Sequence, residues 1–142
     1  MRFVLSRVRS AAVTIDGKPQ AAIKNGWLIF VSFNKDDTSK DLIRIVGKLL
    51  EIRAFGEKLE TNVLDHGYEI LLVPNFTLEA ILLSRRPNFK AALDYVSAKT
   101  KFNELKTIFQ NRIHELAKFG VFGANMEVEA KMDGPFNLIY EA

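Results

Sequence analysis

The sequence predicts a single α/β domain with a layered sheet, and three observations lead there. Two short runs, Trp27–Phe33 and Ile70–Val73, are almost wholly apolar, as in strands covered on both faces. Apolar residues recur at helical spacing after each run. Both ends of the chain are rich in β-forming residues. A length of 142 residues suits one domain over 1–142. A chain of that size buries roughly two-thirds of its unfolded surface without covalent staples.

In order along the chain, residues 2–8 and 12–15 read as strands flanking a polar break. Asp16-Gly17 is a turn pair, so Val13-Thr14-Ile15 and Ala21-Ala22-Ile23 form a hairpin. Asn25-Gly26 turns into the Trp27–Phe33 strand. The segment 37–41 starts a helix: Thr38 can cap and Asp41 can answer it. Leu42, Ile45, Val46, Leu49 and Leu50 follow on one face, with an end expected near Arg53. Pro74, having no N–H, is expected to stop the ladder of the Ile70–Val73 strand. Residues 90–96 and 103–118 read as two helices, the second closed by Gly120. Val121-Phe122, residues 126–130 and residues 136–140 read as closing strands.

Composition excludes more than it names. Cysteine is absent, which removes disulfides, thiolate metal sites and a cysteine nucleophile. The two histidines, His66 and His114, match no ligand spacing, so no metal site is expected. No apolar run approaches the roughly 20 residues that span a bilayer. Charges interrupt the first residues too early for a secretory leader. A cytoplasmic protein without membrane contact is the expectation. A net charge of +3 is compatible with an RNA partner without requiring one.

Specificity comes from many short segments in one register. They are Met1-Arg2 with Ser6-Arg7-Val8, Val13-Thr14-Ile15-Asp16-Gly17, Asp36-Asp37-Thr38 and Ile52-Arg53-Ala54-Phe55. Asn62-Val63-Leu64-Asp65, Phe76-Thr77-Leu78 and Arg85-Arg86-Pro87-Asn88-Phe89 continue the series. Phe122-Gly123-Ala124-Asn125-Met126 and Asp133-Gly134-Pro135 complete it. Together these resemble the D-aminoacyl-tRNA deacylase family over essentially the whole chain. The resemblance implies a deacylase-type fold, with a mixed β-sheet and packed helices, acting as a homodimer. It also implies hydrolysis of the ester between a D-amino acid and tRNA, without cofactor.

In that family one wall of the site follows a buried strand and the other is a cis Gly-Pro pair from the partner subunit. Carried over, the first wall is Pro74-Asn75-Phe76-Thr77 and the second is Gly134-Pro135. Asn75, Phe76 and Thr77 are thereby the catalytic candidates, with backbone N–H groups near Phe76 and Thr77 as oxyanion donors. Thr77 is open between a direct role and ordering of the strand end. The substrate-binding candidates are Gly134, Pro135, Arg7 (a brace for the Gly-Pro loop) and Met126 (packing under the site). Arg85 and Arg86 are candidates for gripping tRNA phosphates. Phe76 is expected in the pocket and Phe89 in the core.

The sequence departs from the family inside its motifs. Pro74 stands for a serine and Asn75 for a glutamine. Met132, Phe136 and Asn137 replace the residues flanking the second motif, and Phe136 is expected to add bulk beside the chirality filter. A related animal family, which removes L-alanine from a threonine tRNA, also carries proline at the first position, but with a trans Gly-Pro bond. Three readings follow: a D-specific hydrolase, a relaxed or L-specific relative, or a dimer that keeps the tRNA-end pocket without turnover.

Overall fold

The computed structural model describes residues 1–37 and 41–142. Its elements are β1 (Arg2–Ile15), β2 (Lys18–Ile23), β3 (Gly26–Ser32), α1 (Leu42–Leu50), β4 (Glu69–Pro74), α2 (Tyr95–Ile113), β5 (Ala117–Phe119) and β6 (Glu127–Glu141). The sheet runs β2-β1-β3-β4-β5, and β6 lies along the whole of β1. β3 pairs with β4 in parallel, and β4 with β5 likewise. The remaining pairs are antiparallel, so the sheet is mixed. β2 returns against β4 and β5, which curls the sheet toward a barrel.

Curling gives the sheet two separate apolar interiors. Trp27, Ile29, Val31, Ile70 and Leu72 face the helices, together with Phe3 and Leu5 of β1. Leu28, Leu71 and Val73 face the inside of the curl with Val8, Ala11 and Val13. Alternate residues of β3 and β4 therefore enter different cores, which is why both strands read as unbroken apolar runs. Among the described residues α1 contributes Leu42, Ile45, Val46, Leu49 and Leu50 to the helical side, and α2 contributes Ala98, Phe102, Leu105, Phe109 and Ile113.

Several boundaries differ from the sequence reading. The polar break near residues 9–11 is not a break, because β1 continues through it. Its pairing with β6 shifts between Ser6 and Val8 and again between Val8 and Ser10. Such a bulge lets Ala11 and Val13 keep facing the same interior as Val8, although they are odd-numbered and it is even. Thr38 lies outside the described residues; the α1 cap is Asp41, whose carboxylate accepts from the Arg44 N–H at 3.0 Å. α1 ends at Leu50, not near Arg53.

β4 includes Pro74, and the ladder outlasts it: the Asn75 N–H donates to Val31 O at 2.8 Å. Donors alternate sides along a strand, so the one Pro74 lacks would face β5, which has already ended at Phe119. Residues 90–94 are not helical; one helix begins at Tyr95 and absorbs Asn103. Ala117 and Lys118, expected as the end of the helix, belong instead to the strand Ala117–Phe119, which pairs with Ile70–Leu72. Val121-Phe122 forms a turn, and the two expected C-terminal strands are the single β6.

Asp94 caps α2, accepting from the Ser97 N–H at 3.0 Å. That bond holds the Asp94 carboxyl below its ordinary value of 3.8. A depressed carboxyl stabilises the fold above its unfolded value and loses this as pH falls through the folded one. An Asp94→Asn variant keeps an acceptor but cannot titrate. In denaturant unfolding it should be slightly less stable than the parent near pH 6, with the gap closing below pH 3.8. A gap independent of pH would contradict this role.

Candidate active site

The first wall grows out of the end of β4. Asn75, extended at φ −148°, caps the short helical turn Phe76–Glu79. Its side-chain oxygen accepts from the Thr77 N–H at 3.2 Å and from the Thr77 hydroxyl at 2.5 Å. The far end of the turn is tied as well. Glu79 is buried, and its carboxylate accepts from Ser32 Oγ at 2.5 Å and from Asn34 Nδ2 at 2.8 Å. Arg2 Nη1 donates to Leu78 O at 2.5 Å. The Thr77 N–H is thus engaged by Asn75, whereas the Phe76 N–H stands at the first helical position, where the turn supplies no acceptor. Of the two expected oxyanion donors, Phe76 is the one so placed.

In front of this turn lies a cavity of about 570 Å³, lined among others by Pro74, Phe76, Tyr95, Phe122 and Met126. Phe76 is 59% exposed and stands edge-on to Phe89 with centroids 5.0 Å apart. Phe89, expected in the core, is only half-buried and props that ring. Tyr95 and Phe122 meet edge-on at 5.3 Å on the opposite side. Gly120 brings the 120–126 turn close: a Cβ there would meet Met126 Sδ at 2.8 Å and Pro74 Cδ at 3.3 Å. Tyr95, Phe122 and Glu79 were not among the sequence candidates. For Glu79 the available signal was a lone carboxylate within Phe76-Thr77-Leu78-Glu79-Ala80-Ile81-Leu82.

The second wall is an excursion from the β1–β6 ladder. Ser6 pairs with Asn137 and Val8 with Met132, so residues 133–136 stand opposite the single residue Arg7. Gly134 has φ +129°, and a Cβ would meet the Phe136 N at 2.7 Å, so only glycine fits without strain. The Gly134–Pro135 peptide is cis, and both residues are exposed.

Arg7 clasps this excursion from beneath. Its Nε lies 3.0 Å from Asp133 Oδ2, its Nη1 donates to Ala54 O at 2.7 Å, and its guanidinium covers the Phe136 ring at 4.7 Å. Arg9 reaches the other Asp133 oxygen at 3.3 Å. Phe136 does not add its bulk beside the filter. Its ring turns inward to Trp27, centroids 6.2 Å apart, and packs against the helix-side core.

Within one chain the two walls do not meet. The Gly134-Pro135 excursion is level with Trp27, through the Arg7↔Trp27 pair, whereas Pro74 is level with Val31. Four strand residues separate these levels, roughly 13 Å along the sheet. Met126 goes with the first wall, apart from Arg7, Gly134 and Pro135, with which the sequence grouped it. Arg85 and Arg86 sit on an exposed loop closed by the Ile81–Asn88 bridge, beyond the Phe76–Phe89 pair. Among the described residues no cluster of His, Cys, Asp or Glu could hold a metal ion, and no helix is long and apolar enough to cross a membrane.

Against known proteins, the sequence model described as D-Tyr-tRNA(Tyr) deacylase matches residues 4–141. The chain belongs to this deacylase family. Among relatives, it is 38% identical over 142 residues to the D-aminoacyl-tRNA deacylase of Nautilia profundicola, covering 99% of each. It is 35% identical to human D-aminoacyl-tRNA deacylase 1, over all of this chain and 70% of that one. A solved structure described as c-Myc DNA Unwinding Element Binding Protein superposes with a TM-score of 0.93 at 34% identity, covering 100% and 99%. A probable eukaryotic D-amino acid tRNA deacylase gives 0.86 at 14% identity, covering 98% and 97%, which speaks for the fold alone. The α/β fold expected for the family is therefore the one observed.

Arg7→Ala would leave Asp133 without its closer cation and uncover the Phe136 ring. Losing hydrogen bonds from a charged, mostly buried donor should lower the unfolding free energy by about 2 kcal/mol. Amide exchange at Asp133 and Phe136 should rise more than in β3. Equal exchange in variant and parent would show that Arg7 does not hold the excursion.

Proposed function

We propose that this chain hydrolyses the ester bond between a D-amino acid and the 3′ end of a tRNA, as a homodimer working in the cytoplasm. One observation carries the reading. The family model spans residues 4–141, and Thr77 and Gly134-Pro135, which the resemblance assigns to the site, stand on two exposed walls displaced along the sheet within each subunit. A second copy can bring its Gly134-Pro135 excursion to the mouth of the first copy's cavity.

In such a site the chemistry is carried by the main chain. The carbonyls around Gly134 accept from the substrate's ammonium group, and an L side chain would collide with the same backbone. The Phe76 N–H faces the developing oxyanion; one such donor typically contributes 10²–10³ in rate. Water attacks the ester carbonyl, assisted by the 2′-hydroxyl of the terminal ribose, and the tRNA 3′-oxygen leaves with a proton. Thr77, fastened to Asn75, keeps the turn in shape rather than acting as a nucleophile. Phe76, Tyr95 and Phe122 offer aromatic faces to the terminal base. Arg85 and Arg86 contact phosphates next to the aminoacylated end.

Purified protein should release D-tyrosine from D-tyrosyl-tRNA and leave L-tyrosyl-tRNA intact in a paired single-turnover assay. Turnover of the L ester would instead favour the relaxed relative. Binding of a non-hydrolysable analogue with no turnover of either ester would favour the non-catalytic dimer.

A further inference from the structure

A second groove, of about 430 Å³, runs between the exposed side of α2 and the strand end at Lys118–Phe119. On α2 its wall is Lys99, Asn103, Lys106 and Gln110, at steps of four, three and four residues, which is one face of a helix. Lys118 lines the groove from β5 and Gln20 lines it from β2. No carboxylate is among the residues lining this groove. The helix itself carries Lys99, Lys101, Lys106 and Arg112 against Glu104 alone, although the whole chain is nearly balanced at 20 basic and 17 acidic residues. The Lys106 ammonium lies 5.4 Å from the centre of the Phe119 ring, which steadies it over the groove.

The groove is continuous with the candidate active site. Phe122 lines both, and on α2 Ala98 lines the cavity while Lys99, the next residue, lines the groove. Lys99 and Lys106 are seven residues apart, about 10 Å along the helix axis, so their ammonium groups address different anionic groups. A row of separated cations with amide side chains between them, and no acid in the lining, suits a phosphodiester backbone better than a single small anion.

We infer that Lys99, Lys106 and Lys118 form a track for the phosphates of the tRNA acceptor arm, leading away from the cavity across Phe122. The inference rests on the deacylase reading for the identity of the RNA, but not for the existence of the track. It assigns to the lysine side of the cavity a contact separate from the one proposed for Arg85 and Arg86. The lysines act on binding alone, since none of them lines the cavity.

The test compares the full chain with a Lys99→Gln, Lys106→Gln, Lys118→Gln variant. A control of the same charge, Lys24→Gln, Lys35→Gln, Lys58→Gln, lies outside the groove. Affinity for uncharged tRNA is followed as a function of salt. Each lost phosphate contact lowers the slope of log K against log salt by roughly 0.7 to 0.9, so the groove variant should lose about 2 to 2.7. The control variant should keep the parent slope. On D-tyrosyl-tRNA the groove variant should show a raised KM and an unchanged kcat. On D-tyrosyl-adenosine, which has no acceptor-arm phosphates, both parameters should be unchanged.

An unchanged slope in the groove variant, or an equal loss in the control, would overturn the track. So would loss of binding to phosphatidylserine vesicles with tRNA affinity intact. Failure of the parent to cleave either ester would count against the deacylase reading, and the uncharged-tRNA slope would still decide the groove.

Discussion

Everything about the proposed site depends on β3 and β4 being paired in parallel and buried on both faces. That burial fixes their register, because a slip of one residue would exchange the two interiors. With the register fixed, the chain leaves β4 at Pro74 beside the end of β3, and the turn with Asn75, Phe76 and Thr77 starts there. At the other end, Trp27 sets the level of Arg7 and hence of the Gly134-Pro135 excursion. The two walls are consequently held by one rigid element yet kept apart. A site that uses both needs two copies.

Side-chain chemistry at these walls serves positioning. Asn75 and Thr77 bond to each other, Glu79 bonds to Ser32 and Asn34, and Arg7 bonds to Asp133 and Ala54. These contacts orient backbone groups, which suits a reaction that needs fixed dipoles more than a reactive side chain. The motif changes fit the same picture. Phe136 is absorbed between Arg7 and Trp27, and Pro74 stands beyond the last β4–β5 bridge, Leu72–Phe119, while the ladder to β3 continues at Asn75.

The sequence disclosed what local pattern governs and hid what pairing governs. The β3 and β4 runs, the α1 face and the Asp16-Gly17 hairpin were legible because periodicity and turn chemistry act over few residues. The continuity of α2 through residues 97–102 is hidden because Lys99, Thr100 and Lys101 interrupt the apolar pattern, although Asp94 with Ser97 three residues on is a cap signal. Ala117 and Lys118 read as helix in the sequence because only pairing with β4 makes them strand. Of the site, the two walls were legible through resemblance. The inward turn of Phe136, the separation of Met126 from Gly134, and the parts played by Tyr95 and Glu79 arise from contacts between distant segments.

The central claim is that each site is assembled from two chains, and subunit mixing addresses it most directly. Phe76→Arg should block the first wall and Gly134→Val the second, each abolishing deacylation alone. If the variants are unfolded together, refolded at equal concentration and assayed, heterodimers carry one site with both walls native. Random pairing then restores about a quarter of the parental activity. No recovery, with heterodimers present by mass spectrometry, would contradict a site built across the interface.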